Sequence, residues 1–212
     1  KARVVVIEGE PGTGKSRLAY QLLHRCAADG WSVLETWGDS GSPVAPWHAV
    51  RQLLIGGLPD SAALSPSEIA ARLDGDLAAA DLDARHALRT ILGLPVEAAT
   101  WRDAEAGYRQ RIVRDVAARL ILARCSPRPG IVLVDDAHWL DAESRGVLNH
   151  LVEPMAGRAM LLLLTCRPSR GGVGIEPAHE VAGEVVGAGE AAAAADRPGH
   201  RRGVERQRLL DL

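Results

Sequence analysis

Eight consecutive residues, Gly9, Glu10, Pro11, Gly12, Thr13, Gly14, Lys15 and Ser16, fill the spacing G-x-x-x-x-G-K-[ST] without a mismatch. Glycines without a Cβ let successive backbone N–H groups turn inward, and a helix that takes over around Arg17 points the positive end of its dipole at the same place. The result is a cradle for phosphate. Lys15 supplies a point charge of the kind that sits between β- and γ-phosphates, and the Ser16 hydroxyl is a hard oxygen ligand for Mg²⁺. Apart from the terminal Lys1, Lys15 is the only lysine in a chain that otherwise takes its positive charge from arginine. A compact ammonium, rather than a planar guanidinium fork, is what such a loop uses among phosphate oxygens. Gly9 to Arg17 is therefore the candidate binding segment.

A second chemical group lies far downstream. Asp135 and Asp136 end an apolar run, where the first carboxylate is placed to orient a hydrated Mg²⁺ and the second to polarise an attacking water. Adjacent carboxylates in a dry site repel each other unless a metal offsets the charge. The alternative is an Asp pair that merely caps the next helix. Arg167, at the end of a further apolar run, either reaches a γ-phosphate or makes a surface ion pair. His138 has no second His or Cys beside it and reads as structural, Trp139 reads as packing, and Asp141 as a helix N-cap.

These residues need strands to carry them. Val4 to Ile7, Ile131 to Val134 and Met160 to Thr165 are β-branched or leucine-rich runs of the kind found in buried parallel strands, each ending in a polar residue. Their carboxyl ends place Lys15, Asp135 and Arg167 along one rim, the rim at which open α/β sheets bind ligands. Leu18, Leu22, Leu23 and Cys26 follow helical spacing until Asp29-Gly30, and Trp31 to Thr36 suits another strand. After a Gly/Ser/Pro-rich loop from Gly38 to Pro46, a helix is expected from about Trp47 to Ile55. Ser65-Pro66-Ser67-Glu68 starts a helical insertion that reaches Gly93, and one longer helix is expected from about Trp101 to Cys125. Its arginines read as a solvated face. The expected organisation is an α/β domain over residues 1–170, a three-layer sandwich with a mostly parallel sheet cut short on its carboxyl-terminal side. The helical insertion occupies about residues 60–125, and a Gly/Ala- and Arg-rich disordered tail covers 171–212. His179 to Val186 is the one stretch of that tail that suits a strand.

At 212 residues, one sizeable core is the starting expectation. A formal net charge of −2 gives no general attraction to nucleic acid or anionic lipid, so direct binding to either is not expected. No apolar run approaches the length of a membrane span, and the three cysteines lack metal-ligand spacing, so a cytoplasmic protein with buried free thiols is expected.

GEPGTGKS, SPVAPWHAVRQLL, IVLVDDAHWLDAES and LLLLTCR together resemble the AAA+-like ATPase module of the signal-transduction ATPases with numerous domains, as found in large bacterial LuxR-type regulators and multidomain kinases and cyclases. The resemblance covers about residues 3–168. It implies ATP or ADP with Mg²⁺ as ligands. By position it makes Gly9, Gly12, Gly14, Lys15 and Ser16 the phosphate and metal contacts, Asp135 the Walker B acid, Asp136 the catalytic acid and Arg167 the sensor arginine. The helical lid and winged-helix region of that family are not recognisable after Pro168. Three readings stand at this point: a slowly hydrolysing regulatory module of a bacterial signalling or transcriptional regulator, a nucleotide-binding scaffold without useful hydrolysis, and a non-functional remnant. The expected partners are the other domains of a longer parent or a protein partner. A phosphoryl-transferring kinase is the further alternative, though no acceptor site or basic lid is evident. No Asn-Lys-x-Asp motif for reading guanine is present.

Overall fold

Unbroken apolar runs in the central strands, buried on both faces, decide the architecture. The computed structural model describes residues 1–40, 45–77, 81–126, 128–168, 174–175 and 182–187. Strands β1 (Arg3–Glu8), β2 (Ser32–Trp37), β3 (Gly130–Asp135), β4 (Met160–Cys166) and β5 (Ala182–Gly187) form one sheet in the order β2-β3-β4-β1-β5. Every pairing is parallel. Val5, Ile7, Ile131, Leu133 and Leu163 share one face with Ala19, Leu23 and Cys26 of helix α1 (Lys15–Ala28). Val4, Val6, Val132, Val134, Leu162 and Leu164 point the other way.

On that second face pack α2 (His48–Gly56), α3 (Pro66–Asp74), α4 (Leu82–Ile91), α6 (Ala106–Arg124) and α7 (Ala142–Met155). Helices on both faces of a parallel sheet make the three-layer α/β sandwich of P-loop NTPases. The start signal at Ser65 is a full capping box: Ser65 accepts from the Glu68 amide, and the Glu68 carboxylate accepts from the Ser65 amide.

Two expectations change. The single helix expected from Trp101 to Cys125 is broken into a short α5 (Ala99–Arg102) and the long α6, because Arg109 turns back to cap the carbonyls of Trp101 and Arg102. Tyr108, on α6, is exposed and donates its hydroxyl to Asp83 at 2.6 Å. Within the carboxyl-terminal segment, residues 182–187 form β5, which covers the free edge of β1. The rest of the tail from residue 188 lies outside the described residues, as do 176–181.

Candidate nucleotide-binding site

The loop after β1 owes its shape to two glycines in the left-handed region, Gly12 (φ 83°) and Gly14 (φ 89°), where a side chain would be strained. Gly14 is also the residue that precedes α1, so the loop empties directly into a helix amino terminus. Thr13 is tied down by donating its hydroxyl to the Glu10 carbonyl at 2.8 Å. Lys15 is only 7% exposed and folds over the loop, its Nζ donating to the carbonyls of Gly9 (2.7 Å) and Glu10 (3.0 Å). Arg17 follows Ser16 on α1 with its side chain exposed.

The strand order explains how two motifs 119 residues apart meet. β4 lies between β1 and β3, with Ile7 opposite Thr165 and Leu133 opposite Leu163. Across that strand the Ser16 hydroxyl donates to Asp135 Oδ1 at 2.9 Å. The fully buried Thr165 fills the gap from below, donating its hydroxyl to the same Asp135 oxygen at 2.5 Å and accepting the Asp136 amide at 2.9 Å. Thr165 was not among the sequence candidates. The only trace of it there is a lone hydroxyl ending a run of four leucines.

Thr165→Val keeps the shape and removes both bonds. An amide N–H left unpaired beside a carboxylate that has lost a donor should cost about 1–3 kcal/mol of stability. Denaturant titration should show a lower midpoint at unchanged slope, and an unchanged midpoint would mean that the hydroxyl contributes nothing to the rim.

Asp136 turns the chain sharply, with φ 51° and ψ 46°, into a 3₁₀ turn over Ala137–Trp139. Its carboxylate does not cap that turn, and Asp141 caps α7 by accepting the Ser144 amide at 2.8 Å. The helix-capping alternative for the Asp pair is therefore set aside. The Asp141 carboxylate also accepts the backbone amide of Trp47, which is itself in the left-handed region at φ 66°. This ties the Pro46-Trp47 segment to the turn. Gly38 packs beneath the turn and donates its amide to the Asp135 carbonyl at 2.8 Å.

His138 points its Nδ1 toward Asp136 Oδ1 at 3.9 Å. Burial holds this imidazole below its ordinary pKa. The Asp136 carboxylate pulls the other way, and the nearby charges of Arg167 and Lys15 reinforce the lowering. Arg167 thus stands at the same rim, exposed, just past the end of β4. The neighbouring Cys166 thiol is pushed up to about 12 by burial and by Glu8, so it is no nucleophile. Among the described residues, no group of three or more His, Cys, Asp or Glu side chains is arranged to hold a metal ion. A cleft of about 650 Å³ between Trp47, Leu94, Trp101, Arg109 and Val113 takes in neither the P-loop residues nor Asp135, Asp136 or Arg167.

Fold and loop together define a nucleotide-binding, ATPase-like P-loop domain. The AAA ATPase domain family matches residues 1–164, and the chain belongs to that family. It is 28% identical over 174 residues to an uncharacterized protein, R02095, of Rhizobium meliloti (strain 1021), a match that takes in 78% of this chain and 16% of the relative. The chain thus spans only a small part of that relative's length. Among solved structures it is similar to cbiO1 from Clostridium perfringens, part of the ABC transporter complex cbiONQ, at 17% identity and a TM-score of 0.36, covering 78% of this chain and 67% of that one.

These findings correct the narrower resemblance. The family found is the AAA ATPase domain at large, whose description names no signal-transduction or LuxR-type regulator. The assignment to the signal-transduction ATPases with numerous domains is withdrawn, and with it the role in a signalling or transcriptional regulator. The physical reason is that short motifs such as a P-loop or an Asp-Asp strand end report local site chemistry only. They do not specify what the domain is attached to. Among the described residues, no helix is long and apolar enough to cross a membrane.

Proposed function

We propose that this chain is the nucleotide-binding module of a longer protein, in which a bound adenine nucleotide with Mg²⁺ fixes the P-loop rim in one arrangement that neighbouring domains or a protein partner read. The observation that carries this reading is the convergence of Lys15, Ser16 and Asp135, brought together across β4 by the 2.9 Å Ser16–Asp135 bond. The inward-turned loop amides and Lys15 would hold the phosphates. Ser16 and Asp135 offer the hard oxygen donors that suit Mg²⁺, an ion that keeps several waters and takes few protein ligands. Bound there, Mg²⁺ would neutralise phosphate charge. The free, buried thiols Cys26, Cys125 and Cys166 support a reducing, cytoplasmic setting.

Calorimetric titration with ADP and ATP, with and without Mg²⁺, tests this reading. Saturable binding is expected, strengthened by Mg²⁺ in the parent chain. Asp135→Asn should keep the Mg²⁺-free affinity and lose most of the Mg²⁺-dependent gain. If the folded chain bound neither nucleotide, the reading would fall.

One observation favours weak Mg²⁺-dependent turnover as a second reading. The Asp136 side chain is 48% exposed and not used as a cap, which leaves its carboxylate open to water. In that reading Asp136 and Lys15 are the catalytic residues, and Arg167 stabilises charge on the terminal phosphate.

A further inference from the structure

We propose that His138 is the positioning residue for Asp136: the imidazole Nδ1–H is the hydrogen-bond donor that decides where the Asp136 carboxylate points along the rim. The proposal rests on the reading of that rim as a nucleotide site.

The His138 ring is mostly buried, and both of its nitrogens are shielded from solvent without a hydrogen-bond partner among the described residues. An imidazole always carries at least one N–H, and buried donors are rarely left unpaired in native proteins. The Asp136 carboxylate is the acceptor at hand, its Oδ1 lying 3.9 Å from Nδ1. That is beyond hydrogen-bond length by roughly 1 Å.

The backbone on either side is fixed. The Asp136 amide is held by Thr165, its carbonyl accepts the Trp139 amide at 2.9 Å, and that carbonyl also packs on Gly38. The His138 ring lies against the Trp139 ring, with centroids 5.2 Å apart. Closing the gap is therefore left to the Asp136 side-chain torsions, since the carboxylate is half exposed. Lys15 does not take the imidazole's place, since its ammonium is occupied by the loop carbonyls of Gly9 and Glu10. With the His138 N–H bonded, one carboxylate oxygen is fixed and the other is left open at the rim. Without it, the carboxylate is free to rotate into bulk water. No proton is transferred in this role.

The test is a long-range ¹H–¹⁵N spectrum of histidine-labelled chain, with and without Mg²⁺ and ADP. The His138 signal is identified by its loss in His138→Asn. It should report the Nδ1–H tautomer, and Asp136→Gly should convert it to the Nε2–H form. Glycine removes the carboxylate and suits the positive φ, so the turn itself survives. In a turnover assay, His138→Ala should lower the rate about tenfold or more at nearly unchanged ADP affinity. His138→Asn should restore much of that rate, and His138→Ala should add nothing in an Asp136→Gly background. An Nε2–H tautomer indifferent to Asp136→Gly would overturn the proposal, whether or not the chain hydrolyses nucleotide. Failure of the parent to bind ADP would instead sink the nucleotide reading, while the tautomer would still decide whether His138 holds Asp136.

Discussion

Lys15→Ala should weaken ADP and ATP binding by at least about 100-fold, or about 2.7 kcal/mol, an effect calorimetry reads directly. Lys15 is 7% exposed, so part of the cost of bringing its ammonium to a phosphate is met by the fold. A charge-assisted hydrogen bond contributes about 1.5–3 kcal/mol, and a lysine between two phosphate groups makes more than one. Arginine should not rescue the loss. Its planar fork is larger than the ammonium that now sits 2.7 and 3.0 Å from the two loop carbonyls. The loop itself is exposed, so melting of the alanine variant should stay close to that of the parent. An alanine variant that binds within tenfold of the parent would show that the loop amides alone hold the ligand.

The other large effect is expected at Gly38, which touches no ligand. A Cβ at this position would lie 2.4 Å from the Asp136 carbonyl oxygen and 2.7 Å from the Trp139 Cβ. Neither neighbour is the free end of a side chain, so the turn after β3 has to move. Overpacking of this kind costs about 1–3 kcal/mol, which for a chain of this size lowers the melting temperature by roughly 2–10 °C. The displaced atoms belong to the Asp135-Asp136 turn, so Gly38→Ala should also remove the Mg²⁺-dependent part of nucleotide affinity and spare the Mg²⁺-free part. Thermal melting paired with titration separates the two effects. A variant with parental melting and parental Mg²⁺ dependence would refute the close approach.

The phosphate loop was legible because everything it needs is contiguous: two glycines at positive φ, a lysine and a hydroxyl, with a strand before and a helix after. The buried strands were legible for a similar reason, since unbroken β-branched and leucine runs have few other uses. Thr165 and Gly38 were not. Thr165 matters because β4 inserts between β1 and β3, and Gly38 matters because the end of β2 passes under a turn nearly a hundred residues later in the chain. Neither adjacency leaves a periodic signal. The break between α5 and α6 was missed because helical spacing continues through it. What stops the helix is a single arginine reaching back to two carbonyls. The family was drawn too narrowly because the motif strings encode phosphate chemistry and say little about what the domain serves.

The central place of β4 also sets an order of events during synthesis. As the chain leaves the ribosome, Lys15 and Ser16 emerge early and Asp135 much later, yet the two motifs stay apart until Met160–Cys166 arrives to pair with both β1 and β3. Both halves of the site are then translated but not assembled, and the apolar edges of β1 and β3 face solvent or a chaperone. Formation of the Ser16–Asp135 contact is therefore a late event on this chain. A nascent polypeptide halted before Met160 carries the phosphate motif and the Asp-Asp pair without the strand that brings them together.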